Sequence, residues 1–181
     1  MRAIGCVTRQ SVGMAITPMT HGDLNLRCGV ATDGPGIIAL IARENHRPTD
    51  PERVRRRLEQ LPSAVVERNG ELMGFIYARR FSPDMVELSN MLIDPQIRRR
   101  GVGGRMVGML EPELARLGYR GAVFVNCRLH IGATDQRSAA ARAFWLRRGY
   151  RIVFATHGSV VFVKSFDRLP EVDPGLAADR F

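Results

Sequence analysis

Between Ile93 and Met106 the chain reads Ile93-Asp94-Pro95-Gln96-Ile97-Arg98-Arg99-Arg100-Gly101-Val102-Gly103-Gly104-Arg105-Met106. An alternating apolar run from Met85 to Ile93 feeds a turn at Asp94-Pro95. Three arginines and a glycine-rich elbow follow, and then a helical pattern begins. Arg98-x-x-Gly101-x-Gly103 at a strand-to-helix junction suits the holding of a pyrophosphate. Glycines let the backbone approach the anion, and the unpaired N–H groups of a first helical turn point at it. The helix dipole adds a partial positive charge, and the arginines add whole ones.

A sheet and several helices are needed to hold that elbow. Residues 24–30 alternate and predict a first strand. Thr32 or Asp33 caps a helix that buries Ile37, Ile38, Leu40 and Ile41, with Pro35 tolerated in its first turn. Asp50-Pro51-Glu52 opens a second helix running to Leu61. Residues 64–68 and 72–81 read as a hairpin about Asn69-Gly70, a dipeptide suited to positive φ. Residues 84–93 are a further strand. Residues 102–117 form a helix with Met106, Val107 and Leu110 on its apolar face and Gly118 as its left-handed cap. Pro112 is expected to kink or break the last part of that helix. Residues 122–126 are a strand, 137–148 a helix closed by Gly149, and 150–154 with 160–163 a final pair of strands. The sum is a mixed α/β sheet covered by helices. Residues 1–22 read as an N-terminal extension, with Met14 or Met19 as another possible start. Residues 23–166 form the domain, and 167–181 an acidic, proline-bearing tail.

A length of 181 residues fits one domain with its own core. The formal charge is +9, and every basic residue but Lys164 is arginine, a bias that reads as GC-rich coding as much as selection for a partner. A positive field favours anionic ligands. The arginines are nonetheless spread along the chain, which argues against nucleic acid as the substrate. The denser face of Arg53, Arg55, Arg56 and Arg57 reads first as solvated surface and second as a dock for an acidic partner or RNA. No run approaches the ~18 apolar residues of a membrane span, and the N-terminal apolar pieces are too short for a signal peptide. The expectation is a cytoplasmic protein with no membrane contact. Cys6, Cys28 and Cys127 match no zinc or CxxC spacing and read as reduced thiols.

The order of elements together with two motifs resembles the GNAT family of N-acetyltransferases over residues 24–164. Ile93 through Gly103 matches that family's apolar-x-P-x-x-R-x-x-G-x-G segment. Ser138-Ala139-Ala140-Ala141-Arg142-Ala143-Phe144-Trp145-Leu146-Arg147-Arg148-Gly149-Tyr150 matches its small-residue helix ending in aromatic-x-x-x-x-G-aromatic. The resemblance implies a mixed, mostly antiparallel central sheet of about six to seven strands with about four helices, two strands splaying apart at a cofactor slot. It implies acetyl-CoA as cosubstrate and no metal. Backbone N–H groups across Arg98, Arg99, Arg100, Gly101, Val102, Gly103 and Gly104, with Arg105 beside them, would hold the coenzyme A pyrophosphate. Main-chain groups of Met91 and Ile93 would pair with the pantetheine arm, and the strands carrying Glu87 and Val123 would part to make room. A backbone N–H near Leu92 or Ile93 would meet the acetyl carbonyl, and Ser138 would reach the pantetheine.

For the proton, the resemblance points to Glu87, six residues before Ile93, with Ser89 and Met91 as alternate neighbours on its face. Family members often carry a tyrosine four residues before the helix-ending glycine, as general acid. Trp145 occupies that position here, and an indole supplies no proton at useful pH. Tyr150 reads as core, and Cys127 as a small buried residue or a substitute acid. His130, in the stretch 126–136, and His46 with Arg47 lie in segments that shape an acceptor pocket in the family. The expected activity is acyl-CoA-dependent N-acetylation of a primary amine by direct attack, with a small-molecule acceptor favoured over a protein or tRNA amine, and a homodimer possible. The alternatives are a toxin-like enzyme acetylating aminoacyl-tRNA, and a catalytically weak coenzyme A-binding sensor or partner protein.

Overall fold

Asn69 and Gly70 both take positive φ, 52° and 79°. This two-residue turn matches the twist of the flanking strands and closes β3 (Ser63–Arg68) onto β4 (Glu71–Arg80). In this computed structural model, which describes residues 19–21, 23–45, 48–126, 136–156 and 159–166, that hairpin lies within an eight-stranded sheet. The remaining strands are β1 (Met19–His21), β2 (Leu24–Cys28), β5 (Met85–Ile93), β6 (Gly121–Asn126), β7 (Arg151–Ala155) and β8 (Val160–Ser165). Their order is β1-β2-β3-β4-β5-β6-β8-β7. All neighbours are antiparallel except β5 with β6. The four described helices are α1 (Gly34–Asn45), α2 (Pro51–Gln60), α3 (Val102–Arg116) and α4 (Gln136–Arg147). This is the mixed, mostly antiparallel sheet expected. The strand beyond the expected six to seven is β1, whose three residues fall in the segment read as an extension and pair with β2.

Both faces of the sheet are covered. Ile76, Ala78, Val86 and Leu88 point to one side, under Met106, Val107 and Leu110 of α3 and Trp145 of α4. Val65, Phe75 and Tyr77 point to the other, under Ile37 and Leu40 of α1 and Val54 and Leu58 of α2. No described helix is long and apolar enough to cross a membrane.

Two local expectations are corrected. Helix α3 continues through Pro112 to Arg116. Proline deprives the Gly108 carbonyl of its usual donor, but Gly108 and Pro112 both lie on the exposed side, open to solvent. Leu110 and Leu114, buried on the opposite side, keep the turn packed. At the other end, Asp33 does not cap α1 directly. It ends a short 3-10 turn at Ala31–Asp33 and accepts the Val30 N–H at 2.8 Å.

Arg27 of β2 grips Asp33 with two bonds, at 2.9 and 2.6 Å, and also reaches Glu67 of β3. Burial acts to raise the Asp33 pKa, but the Arg27 and Val30 hydrogen bonds, with the Arg27 charge, outweigh it and set it below its ordinary value. A carboxylate lowered in the folded state stabilises above its unfolded pKa, and that stabilisation is lost as pH falls through the folded value. Asp33→Asn is therefore expected to lower Tm at neutral pH, and the gap from wild type should narrow below about pH 4. A gap that stays constant on acidification contradicts this origin.

Candidate active site

The parallel pairing of β5 with β6 covers only Met85–Leu88 against Gly121–Phe124. Beyond Leu88 the two strands part. β6 continues along β8 to Asn126, and β5 continues along β4 to Ile93. One edge of Ser89–Ile93 therefore borders a gap. Asp94 donates its N–H to the Met73 carbonyl of β4 at 2.7 Å. Main-chain direction alternates along a strand, so Leu92 also faces β4, while Met91 and Ile93 turn their N–H and C=O groups toward the gap. The Ile93 carbonyl receives the Arg98 Nε–H at 2.7 Å. A Leu92 N–H aimed at β4 leaves Ile93 as the better placed of the two expected donors to an acyl oxygen.

Asn90 interrupts β5 with φ 52°, and the register to β4 slips between Phe75 and Tyr77. This bulge reverses the alternation of faces. Glu87 lies between Val86 and Leu88, which belong to the α3 side, and so faces the α1–α2 side. Met91 packs on the α3 side with Ile93, and Leu92 on the α1–α2 side. The expectation that Met91 shares the face of Glu87 is thus overturned by one extra residue. The Asn90 amide donates to the Tyr77 hydroxyl at 2.8 Å and fixes the bulge.

The elbow after β5 is tied down before it turns. The Asp94 carboxylate accepts the Gln96 N–H at 2.8 Å and is held by Arg43 of α1, which also reaches Glu71 at 3.0 Å. Arg98 spends its guanidinium on Ile93 and on Glu44, at 3.2 Å. It is a brace for the loop and does not extend toward an anion. Arg99 at φ 63° and Gly101 at φ 72° both take the left-handed conformation, and Gly101 is the N-cap of α3 with no side-chain capping bond. The N–H groups of Arg99, Arg100, Gly101, Val102, Gly103 and Gly104 have no acceptor among the described residues. Backbone donors left free around left-handed residues at a helix start form a concave anion site. Arg100 sits 3.9 Å from Asp23 across an exposed contact. A Cβ on Gly103 would stand 3.2 Å from Ile93 Cδ1 and 3.4 Å from the Phe144 ring, so this glycine lets α3 seat against the gap wall and α4.

Glu87 is 7% exposed and ion-paired with Arg79, its cross-strand neighbour on β4. It lies one residue before the point where β5 and β6 part. Trp145 is 1% exposed, stacked on Phe124 at 4.0 Å and edge-on to Phe144 and Tyr150. It is core. Tyr150 is buried as well, and burial, then the Glu111 carboxylate, push its hydroxyl pKa up. Ser138 falls within α4, but its side chain, with Cys127, His130, His46 and Arg47, lies outside the described residues. The described residues hold no cluster of His, Cys, Asp and Glu able to bind a metal ion. Sequence reasoning missed Arg79, Arg43 and Asn90. Arg79 and Glu87 were legible as partners, since both stand four residues from Pro83 in a strand–turn–strand stretch.

A family model described as Acetyltransferase (GNAT) family matches residues 37–150. The chain belongs to that family. The GNAT fold recurs in solved structures at low identity. Ribosomal-protein-S18-alanine N-acetyltransferase from Escherichia coli is 17% identical with a TM-score of 0.64, over 82% of this chain and 97% of that one. An aminoglycoside 6'-N-acetyltransferase complexed with coenzyme A is 20% identical with a TM-score of 0.64, over 76% and 93%. YncA from Salmonella typhimurium, solved with its cofactor acetyl-CoA, is 17% identical with a TM-score of 0.64, over 84% and 99%. No curated protein sequence matches the chain. The row of free N–H groups and the unpaired β5 edge fit a GNAT cosubstrate that carries a pyrophosphate on an extended amide arm.

Gly101 and Gly118 separate backbone geometry from packing, because a Cβ at either meets nothing within 4 Å although both have positive φ. Each alanine substitution is expected to cost about 1 kcal/mol of stability. Only Gly101→Ala, at the elbow, should also weaken coenzyme A binding, by about tenfold. Equal calorimetric affinities in the two variants would count against the cradle.

Proposed function

We propose that this protein is an acyl-CoA-dependent N-acyltransferase, moving an acetyl group from acetyl-CoA to the primary amine of a small molecule by direct attack in a ternary complex. One observation carries the reading. An unpaired strand edge runs straight into a cradle of free backbone donors, and a buried carboxylate stands where the gap closes. The relatives solved with coenzyme A or acetyl-CoA support the cosubstrate.

In this reading the Arg99–Gly104 N–H groups and the positive end of α3 hold the pyrophosphate. The Met91 main-chain groups and the Ile93 N–H offer the amide arm hydrogen bonds of a missing strand, while Arg98 occupies the Ile93 carbonyl. The thioester supplies an activated acyl carbon, and a gap-facing main-chain N–H of β5 nearer Glu87 meets the oxygen on which charge develops. The amine arrives as an ammonium ion and must lose a proton before its nitrogen can attack. Glu87 takes that proton, directly or through water. A C–N bond forms, the C–S bond breaks, and the thiolate is protonated from solvent. The balance is one thioester and one ammonium ion giving one amide, one thiol and one proton. Trp145 donates nothing, and none is required, because a thiol of pKa about 8.5 is a fair leaving group unaided.

The Arg79 partner of Glu87 and the loss of the tyrosine favour one rival, a coenzyme A-binding protein with little turnover. Thiol release across an amine panel separates the two. For the transferase, Glu87→Gln is expected to lower kcat/KM by about 10²- to 10⁴-fold and to abolish the acidic limb of its pH profile. Acetyl-CoA affinity should stay unchanged. An unaltered pH profile in the variant removes Glu87 from the chemistry.

A further inference from the structure

Arg79 does more beside Glu87 than a strand brace needs to do. An exposed cross-strand ion pair contributes little to stability. Sinking its carboxylate to 9% side-chain exposure is costly, so the placement itself calls for an explanation. The two partners differ sharply, since the Arg79 side chain remains 42% exposed. The reason lies in the topology. β3 begins at Ser63, opposite Tyr77, so no β3 residue lies opposite Arg79 on the outer side of β4. Its guanidinium therefore opens to solvent beside the buried Glu87 carboxylate, on the face of the sheet away from α3.

We infer that the acceptor is an amine carrying a carboxylate close to its nitrogen, of the amino-acid class, and that Arg79 is the residue that selects it. The inference rests on the acyl-transfer reading above. Glu87 with Arg79 beside it presents one negative and one positive charge at the same place. A plain alkylamine would gain the attraction of Glu87 and meet the repulsion of Arg79. A polycation, such as a polyamine or an aminoglycoside, would bring further positive charge to Glu87, which already has Arg79 as a partner. An acceptor with both charges satisfies both groups, its ammonium at Glu87 and its carboxylate on Arg79. The planar guanidinium fork matches a carboxylate with two parallel hydrogen bonds. In exchange, the internal ion pair opens and frees Glu87 to receive the proton.

The test measures thiol release from acetyl-CoA with amino acids, each set against its decarboxylated amine and its amide, together with a polyamine and an aminoglycoside. The expected result is a kcat/KM preference of about tenfold to a hundredfold for the carboxylate-bearing member of each set, the worth of a charge-assisted hydrogen-bond pair. Arg79→Gln should erase that preference mainly through KM. Arg79→Lys, which keeps the charge and protects against a folding failure, should restore part of it. In parallel, calorimetry records binding of the preferred amino acid in the presence of free coenzyme A, to wild type and to Arg79→Gln. The proposal is overturned if polycations or decarboxylated amines are used equally well, if Arg79→Gln leaves the preference intact, or if no amino acid either reacts or binds. In all three outcomes coenzyme A still binds and the acyl-transfer reading is judged on its own evidence. Failure of coenzyme A and acetyl-CoA to bind at all takes down both.

Discussion

The inner edge of β5 beyond Leu88 carries main-chain donors and acceptors with no strand among the described residues to meet them. Such an edge is costly when buried dry, and an invitation to pairing when open. The rest of the site is arranged around keeping that edge available. Gly121 and Leu88 mark the ends of the stretch where β5 and β6 do pair. A Cβ at Gly121 would press on the Lys164 carbonyl at 2.6 Å, so the close seating of β6 on β8 depends on its absence. With β6 committed to β8 and β5 committed to β4, the opening between them is a property of the topology. It does not depend on any single side chain.

An open edge is useful only if its far end is fixed. Two ion pairs, Arg43 with Asp94 and Arg98 with Glu44, tie the start of the elbow to α1. α1 in turn is seated by Ile37 and Leu40 on Phe75 and Tyr77 of β4. The strain of a non-glycine residue in the left-handed region at Arg99 is tolerable because the turn on either side is held this way. Arginines that look from sequence like a phosphate clamp thus divide their labour. Arg98 faces inward as a strut, and the N–H groups from Arg99 to Gly104 are left without an acceptor among the described residues.

How much of this was legible depends on the kind of constraint. The glycine elbow, the Asn69-Gly70 turn and the α3 apolar face are dictated locally, by residues few alternatives would fit. The element order emerged from them. The bulge at Asn90 was not legible, because asparagine tolerates positive φ without requiring it. Its effect, the flip of Met91 to the other face, follows only once the register with β4 is known. That α3 runs unbroken through Pro112 was not legible for a related reason. Proline's local penalty was visible, but not the solvent exposure of the carbonyl it leaves unbonded. Arg79 is not legible as a partner of Glu87 from spacing along one strand, because a cross-strand contact depends on the register between β4 and β5.

The aromatic stack at the crotch has an optical side. Trp145 is the chain's one tryptophan, and its ring lies 4.0 Å from Phe124, the last β6 residue still joined to β5. Any molecule that wedges those two strands further apart must shift Phe124 against the indole. The emission of a single buried fluorophore would then report the width of the opening, with no label added to the protein.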